Sequence, residues 1–495
     1  MSKKVAVVGA GPGGLTAAML LAHRGYAVSV FEKAERVGGR SAAIVGGGYT
    51  FDTGPTFLMM TFILREMFEE VGRDLEDYCE IVHLDPMYRL NFRDLSFDPS
   101  RDNSVTRQRI AESFPGEEEG FDRFLEREKV RYKYMYPCLQ KPYGNIFSMG
   151  SPQLLRALPH LSAGRSLYGV LGDYFEEEKL RISFTFQAKY LGMSPWSCPG
   201  LYAMIPYIEH YFGIEHVQGG LSRISEAMAE VIEEEGGRIY LSTPVRKIHT
   251  DGRKTFTDIE LEDGSREEFD AVVVNADFGY AANELFEKGL IRRWSPDRLE
   301  KSNYSCSTFM LYLGLDRTYD EPHHQIILAE DYKRNINEIM GEEVLSEDVS
   351  VYVRNATVTD PSIAPEGHSA LYVLVPVPNT RAPIDWTPEL VGSFRARVME
   401  RIATRTSMKD LEDHIVFEKR LTPFDWRDEY SILHGATFNL GHNIGQMLYF
   451  RPHNRFEDVR RCYIVGGGTH PGSGLPTIYE SGRISSGLLA GDLPL

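Results

Sequence analysis

Hydrophobic and polar positions form two similar blocks, one near each end of the chain. In the first, apolar residues 5–8 precede a glycine-rich turn over residues 9–14, an Ala- and Leu-rich stretch to about residue 24 and an apolar run over 27–31. In the second, residues 462–465 precede a glycine-rich turn and a helical pattern over about 477–489. Each block predicts a strand, a tight turn and a helix, as in parallel α/β units.

Between these blocks, the spacing of apolar positions predicts further elements. We predict a hairpin over 41–50 with its turn at 46–48, a helix over 62–71, strands over 88–97, a helix over 222–235, a strand over 239–241 that continues through 243–248, strands over 258–261 and 268–274, and apolar strands over 308–315 and 370–377. The apolar, aromatic segment 184–212 contains too many glycines and prolines for one long helix. It forms either core or the wall of an apolar cavity.

The first glycine turn has the spacing of a dinucleotide site. Gly9 permits the tight turn, Gly11 allows a pyrophosphate to approach the backbone, and Gly14 lets the helix pack closely on the strand. The phosphates then lie at the positive end of the helix. Glu32 follows at the distance expected for a carboxylate that accepts hydrogen bonds from ribose hydroxyls.

Composition narrows the class of protein. The chain has 495 residues, enough for two or three domains, and its net charge of −17 argues against a nucleic-acid partner. Its five cysteines are scattered without a CxxC pair, which predicts neither disulfides nor a metal site. The first strand begins at once, leaving no room for a cleaved signal peptide, and no apolar run approaches the ~20 residues of a membrane span. We therefore expect a cytoplasmic or membrane-peripheral protein.

One segment departs from this acidic balance. Residues 129–172 contain six Lys or Arg and no Asp or Glu, with tyrosines interleaved. Cationic side chains attract anionic lipid headgroups and tyrosine favours the membrane interface, so the segment predicts monotopic membrane attachment. The alternative is an ordinary helical subdomain.

Longer motifs connect the chain to a known family. They are Arg36-Val37-Gly38-Gly39-Arg40 after Glu32, FDTGPT at 51–56, and the segments 165–175, 363–379, 421–430, 449–454 and 465–476. Together they span nearly the whole chain and resemble the bacterial carotenoid desaturases, the phytoene and dehydrosqualene desaturases, within the FAD-dependent amine-oxidase-like superfamily. The alternative for the Gly-Gly-Arg turn is a solvated loop with a surface arginine, and the alternative for FDTGPT is a simple hairpin exit.

The resemblance implies an α/β fold with a Rossmann-like FAD-binding domain of the GR2 type, a mixed α+β substrate domain and a helical, membrane-associating insert. We expect the FAD-binding domain at 1–80, 215–290 and 455–495, the substrate domain at 81–128 and 291–454, and the insert at 129–214.

The same resemblance implies the cofactor and its contacts. The expected FAD-binding residues are Gly9, Gly11, Gly13, Gly14, Glu32, Lys33, Gly39, Arg40, Gly54, Pro55, Thr56, Val245, Gly467, Gly468, Leu475 and Pro476. In related enzymes an arginine has been considered for acid–base control, and Arg156 matches its position. Gln153 stands where some relatives have an acid, so Arg156 is equally a surface or headgroup-binding arginine. His470 is either a base or a residue that shapes its loop.

The implied activity is desaturation of a linear isoprenoid, either dehydrosqualene or phytoene. FAD takes hydride from an allylic C–H and a proton is lost, which extends a conjugated polyene. Electrons then pass to oxygen or a quinone, and the protein lies at the inner face of the cell membrane. The alternatives are another flavin-dependent isoprenoid oxidoreductase, namely a saturase, isomerase or carotenoid oxidase, a flavin amine oxidase, or a non-catalytic carotenoid carrier.

Overall fold

The structure, a computed structural model, describes residues 2–495, except for the side chains of residues 189 and 190. Its strands are β1 Lys4–Val8, β2 Ala27–Phe31, β3 Ala43–Gly46, β4 Tyr49–Asp52, β5 Ile81–His83, β6 Arg89–Asn91, β7 Ser96–Phe97, β8 Glu215–Val217, β9 Arg238–Tyr240, β10 Val245–Thr250, β11 Phe256–Leu261, β12 Arg266–Glu268, β13 Ala271–Val274, β14 Ser307–Leu315, β15 His324–Ile327, β16 Val351–Asn355, β17 Ser369–Val377, β18 Ile415–Leu421 and β19 Cys462–Ile464.

The α-helices are α1 Pro12–His23, α2 Phe62–Glu70, α3 Asn103–Ser113, α4 Glu118–Leu139, α5 Pro152–Ala157, α6 Leu167–Leu171, α7 Glu178–Ser183, α8 Met204–Phe212, α9 Ser222–Glu234, α10 Phe278–Tyr280, α11 Pro296–Lys301, α12 Tyr332–Asn337, α13 Pro388–Arg405, α14 Pro423–Asp428 and α15 Leu475–Asp492. Short 3-10 turns connect many of them.

A parallel sheet in the order β19-β13-β1-β2-β9 brings the two ends of the chain together. Successive side chains of β1 point to opposite faces, as the two-residue period of a strand requires. Val5 and Val7 pack in the cluster that includes α1, whereas Ala6 and Val8 pack against residues of β10 and β11. Both faces of the sheet are therefore covered, which explains its nearly uninterrupted apolar strands.

Two details of the predicted strands near this sheet are wrong. We expected residues 243–248 to continue the strand at 239–241, but β9 ends in the parallel sheet and β10 begins a separate antiparallel sheet, β10-β11-β12. Likewise, the predicted strand 268–274 is two strands, because β12 pairs with β11 and β13 pairs with β1. A period-two pattern does not reveal where a chain crosses from one sheet to another.

A second, seven-stranded mixed sheet has the order β18-β14-β17-β16-β15-β6-β7. The predicted apolar strands β14 and β17 pair along their full length. One face of this sheet packs on α13, through clusters such as Phe309 with Phe394. The other face packs on the β3-β4 hairpin, whose turn contains Gly47 and Gly48 at positive φ as the Gly-Gly-Gly sequence predicted.

Helices α3 to α8 form a mainly helical region that lies between β7 and β8 in the sequence. The predicted boundary at residue 129 falls inside α4, which runs unbroken over Glu118–Leu139. The division of the chain into three units otherwise stays a prediction.

A buried network centred on Arg354 joins β4, β8 and β16. Its guanidinium donates to Asp52 Oδ2 at 2.6 Å, to His216 Nδ1 at 3.0 Å and to His323 Nε2 at 3.0 Å. His216 in turn contacts Asp360 Oδ2 at 3.1 Å through its other ring nitrogen. Burial is the main cause that lowers the pKa of both histidines, so the neutral rings accept hydrogen bonds from the arginine.

We predict that Arg354→Met destabilises the fold by about 3–5 kcal/mol, because removing one partner leaves the buried Asp52 carboxylate unpaired. Equilibrium unfolding in urea measures the effect. The control is Arg107→Met, which breaks an exposed pair with Asp122 and should cost at most about 1 kcal/mol. Equal losses in the two variants would show that the buried network has no special weight.

Candidate active site

A large cavity of about 1520 Å³ lies between the parallel sheet, the seven-stranded sheet and the helical region. One part is lined by both glycine turns, and the other by apolar side chains of the helical region. This second part includes Met135, Leu154, Leu161, Ile205 and Ile208. The segment 184–212, for which core and cavity wall were both open, supplies both: Phe186, Trp196 and Tyr202 line the cavity, while Phe184 is buried in the core.

The two glycine turns meet around Asn275, the residue that follows β13. A Cβ atom on Gly11 would lie 2.6 Å from Asn275 Nδ2, and one on Gly14 would lie 2.3 Å from Gly9 O. A Cβ on Gly13 would lie 3.1 Å from the backbone N of Gly466, in the second turn. Real Cβ atoms do not come within 3.0 Å of a backbone atom, so the position of Gly14 requires glycine, whereas a side chain at Gly11 would have to displace Asn275 and one at Gly13 would be tightly packed. Asn275 was not identified from the sequence as a site residue, because its role depends on packing between distant segments.

The carboxylate of Glu32 lies at the end of β2, where it lines the cavity. Its Oε2 accepts from Ala10 N at 2.7 Å and its Oε1 from Ala34 N at 2.9 Å. Each carboxylate oxygen can accept a further hydrogen bond, so the group is held ready for ribose hydroxyls.

Helices α1 and α15 both begin at the cavity without a capping side chain. Gly11 is the N-cap of α1 and Gly474 is the N-cap of α15, and neither helix start has a side-chain cap hydrogen bond. Backbone N–H groups at such ends favour an anion. The uncapped helix starts, the glycine cradle and Glu32 therefore fit the phosphates and ribose of a flavin nucleotide.

Arg40 connects the two ends of the chain across the cavity. Its guanidinium donates to Thr437 O at 2.8 Å and to Asn439 Oδ1 at 3.4 Å, while Asn439 donates to Ser473 Oγ at 3.4 Å. Burial lowers the pKa of Arg40, and the nearby Asp277 carboxylate opposes that shift. Lys33 donates to Glu429 O at 2.8 Å and to Ser431 Oγ at 2.7 Å.

The loop 53–56 is held from the seven-stranded sheet by three tyrosine hydroxyls. Tyr372 donates to Gly54 O at 2.7 Å, Tyr352 to Thr56 Oγ1 at 2.8 Å and Tyr312 to Thr53 O at 2.5 Å. The FDTGPT segment is thus a built part of the cavity wall and more than a hairpin exit.

Arg451 is a feature that the sequence analysis missed. It is fully buried, and its guanidinium donates to the carbonyl oxygens of Thr469 at 2.9 Å and Gly467 at 2.7 Å. Three more bonds reach the carbonyls of Leu440, Gly441 and Gln446. Arg451 therefore fixes the backbone of the second glycine turn through hydrogen bonds to its carbonyl groups. The sequence offered only an arginine in a family motif.

Most of the predicted cofactor residues lie together. Those that line the cavity are Gly9, Gly11, Glu32, Lys33, Gly39, Arg40, Gly54, Pro55, Thr56, Val245, Gly467, Gly468, Leu475 and Pro476. Gly13 and Gly14 contribute through packing. His470 lines the cavity, but burial lowers its pKa to about 3, which makes it a weak base. Arg156 lies on the exposed side of α5, whereas Leu154 of the same helix faces the cavity, so the structure does not bring Arg156 to the other predicted residues.

The apolar part of the cavity reaches the surface at an exposed hydrophobic patch. Leu158, Ile444 and Phe450 line the cavity and are 51%, 66% and 42% exposed. Ile146, Phe147 and Leu155 are also exposed, Phe147 to 88%, and belong to turns and helices that contact these segments. We call these six residues the mouth patch. Exposed apolar patches mark contact surfaces in soluble proteins.

The basic segment 129–172 is less basic in three dimensions than in sequence. Arg131 is buried and pairs with Glu128 at 2.9 Å, and Arg165 pairs with Asp173 at 2.6 Å. Both acids lie one residue outside the segment, so the composition of the segment alone does not reveal these two ion pairs. The exposed cations that remain in the segment include Lys133 and Arg156, and Arg156 directly follows Leu155 of the mouth patch.

Two further observations concern the described residues as a whole. Among them, no cluster of three or more His, Cys, Asp or Glu side chains is arranged to hold a metal ion. None of the helices they form combines the length and apolar character needed to cross a bilayer.

Comparisons with known proteins agree with this geometry. The family model for flavin containing amine oxidoreductases matches residues 12–489. A 4,4'-diapophytoene desaturase (4,4'-diapolycopene-forming) of Methylomonas sp is 47% identical over 99% of this chain and 95% of its own length. The zeta-carotene-forming phytoene desaturase of Myxococcus xanthus is 38% identical over 97% and 93%. The resemblance to carotenoid desaturases is confirmed.

Solved structures share the fold at low sequence identity. A triple mutant of putrescine oxidase has a TM-score of 0.66 at 15% identity and covers 99% of each chain. Cyclohexylamine oxidase of Brevibacterium oxydans IH-35A has a TM-score of 0.62 at 15% identity and covers 100% of each. The glycine cradle, the two uncapped helix starts and the family match over nearly the full length lead to one conclusion: this chain belongs to the flavin containing amine oxidoreductase family.

Proposed function

We propose that this chain is an FAD-dependent desaturase that extends a conjugated polyene in a linear isoprenoid, dehydrosqualene or phytoene. The observation that carries the proposal is the continuous cavity, which joins a nucleotide cradle to an apolar wall and ends at the mouth patch. The full-length similarity to a diapophytoene desaturase supports this substrate class. A thirty-carbon substrate is favoured by that relative, and the choice of chain length is left to experiment.

Bound FAD supplies the hydride acceptor; the protein supplies position and environment. Glu32 and the start of α1 orient the nucleotide, while Arg40 and the loop 53–56 lie along the same cavity. The apolar wall excludes water and aligns an allylic C–H, which lets orientation contribute to the rate. An extended hydrocarbon offers no polar handle, so shape alone must fix its register.

The route of the substrate supports a place at the membrane. Exposing thirty carbons to water would cost roughly 24 kcal/mol, at about 0.8 kcal/mol per carbon. Transfer from a bilayer into an apolar cavity avoids that cost if the mouth patch lies against the lipid. We place the protein peripherally on the inner face of the cell membrane, with Lys133 and Arg156 near anionic headgroups and oxygen or a quinone as electron acceptor.

Other activities would use the same cavity. A saturase, an isomerase or a carotenoid oxidase needs the same flavin and apolar wall, and a carrier would retain flavin without turnover. An amine oxidase would be expected to have aromatic residues beside the flavin in the segment 466–476, which contains none.

The first test is turnover. Purified, FAD-loaded protein in liposomes with dehydrosqualene or with phytoene should bleach its flavin without oxygen and produce a new polyene absorption band. The substrate that does so identifies the chain length. Bound flavin that neither hydrocarbon reduces would refute a desaturase and favour the saturase, isomerase, oxidase or carrier.

A second test addresses the nucleotide cradle. Gly11→Val should abolish flavin binding, because its side chain would occupy the space of Asn275 and the cavity beside the helix start. The measurement is flavin released per chain after denaturation. Gly392→Val is the matched control, since Gly392 lies in α13 with open space around its Cβ position. Full flavin content in Gly11→Val would place the cofactor elsewhere.

The third test addresses the mouth patch. Phe147→Asp should weaken binding to liposomes by about 10–100-fold, the equivalent of the roughly 1.5–3 kcal/mol gained by burying a large apolar side chain. Co-sedimentation with vesicles measures it. Val416→Asp is the control, because Val416 is 58% exposed, lies on β18 and belongs neither to the mouth patch nor to the cavity lining. If both variants bind liposomes as the parent protein does, the mouth patch is not the membrane-binding surface.

A further inference from the structure

Arg451 is unusual among the arginines of this protein because its charge is buried without an acid. Its relative exposure is 0%, and its five hydrogen bonds all end on main-chain carbonyls. In the described part of the chain it forms no ion pair, and no carboxylate is among the causes that set its pKa. Burial lowers the pKa of this guanidinium to about 10, so it stays positive at neutral pH.

The field of this cation extends into the cavity. Arg451 donates to Gly467 O, and Gly467 itself lines the cavity, so one backbone unit separates the charge from the cofactor space. His442 and His470 also line the cavity, and the positive charge of Arg451 is a cause, after burial, of their lowered pKa values. Both imidazole rings are therefore neutral, and neither adds a charge beside the guanidinium of Arg451.

A buried cation is costly unless it is both hydrogen-bonded and paired with negative charge, and the five carbonyls supply only the hydrogen bonds. Flavin brings such a charge when it takes up hydride, because the reduced ring system is anionic. We infer that Arg451 raises the reduction potential of the flavin by stabilising the negative charge of its reduced form. This inference rests on the proposed flavin site. It deepens the proposed function, since removing hydride from a hydrocarbon demands a strongly oxidising flavin.

The test is the midpoint potential of bound flavin, measured by equilibration with redox dyes in the absence of any hydrocarbon. In Arg451→Gln, the reduced form should be disfavoured at least tenfold relative to the oxidised form. For a two-electron couple this is a fall of about 30 mV. Arg451→Lys keeps the charge and should keep most of the potential. An unchanged potential in flavin-loaded Arg451→Gln would overturn the inference and leave Arg451 as a clamp for the loop.

The matched control is Arg293→Gln. Arg293 lies near the same segment, with a bond to Tyr449 O at 2.7 Å, but Glu457 at 3.2 Å balances its charge. Its loss should leave the potential unchanged.

A measurement on the unaltered protein covers the case in which Arg451→Gln does not fold. The absorbance of the reduced flavin, titrated with acid, should show that the bound ring stays anionic to a lower pH than free reduced flavin does. Protonation at the same pH as the free cofactor would overturn the inference. Neither measurement uses a hydrocarbon, so a protein that fails to desaturate either substrate would refute the proposed function without deciding the role of Arg451.

Discussion

The buried contact between Arg354 and Asp52 constrains much of the molecule. Asp52 ends the hairpin that leads into the loop 53–56, and Arg354 belongs to β16 of the other sheet. Asp52 also accepts from Leu221 N at 2.7 Å, at the start of α9. This ion pair thus ties the hairpin beside the glycine turns to the seven-stranded sheet on the other side of the cavity. Two neutral histidines, His216 and His323, accept further hydrogen bonds from the arginine, so the guanidinium is hydrogen-bonded without a second acid beside it.

Local patterns predicted the parts of the site that depend on local geometry. The first glycine turn, Glu32 and the hairpin turn at Gly47 and Gly48 follow from short-range rules, and the structure places them as expected. The second glycine turn followed from the same kind of pattern, and the family resemblance added the loop 53–56 as part of the site. The sequence did not predict that β9 and β10 belong to different sheets, because the alternation of apolar residues in a strand is the same whichever sheet the strand joins.

Long-range features could not be predicted for a different reason. Asn275 and Arg451 act on segments far from them in sequence, and their residue types are common everywhere. The charge of the segment 129–172 was overestimated because Glu128 and Asp173, just beyond its ends, fold back on Arg131 and Arg165. Arg156 matched a family position, yet a helix presents only some of its side chains to a cavity, and the phase of α5 turns this one outward.

The large cavity also bears on the stability of the folded protein. It has a volume of about 1520 Å³ where three packed regions meet, and a ligand bound there makes contacts that only the folded chain can offer. A ligand present at a hundred times its dissociation constant stabilises a fold by about 2.7 kcal/mol. A flavin bound in this cavity would therefore also act as a structural support, because it would contact the two sheets and the helical region at once.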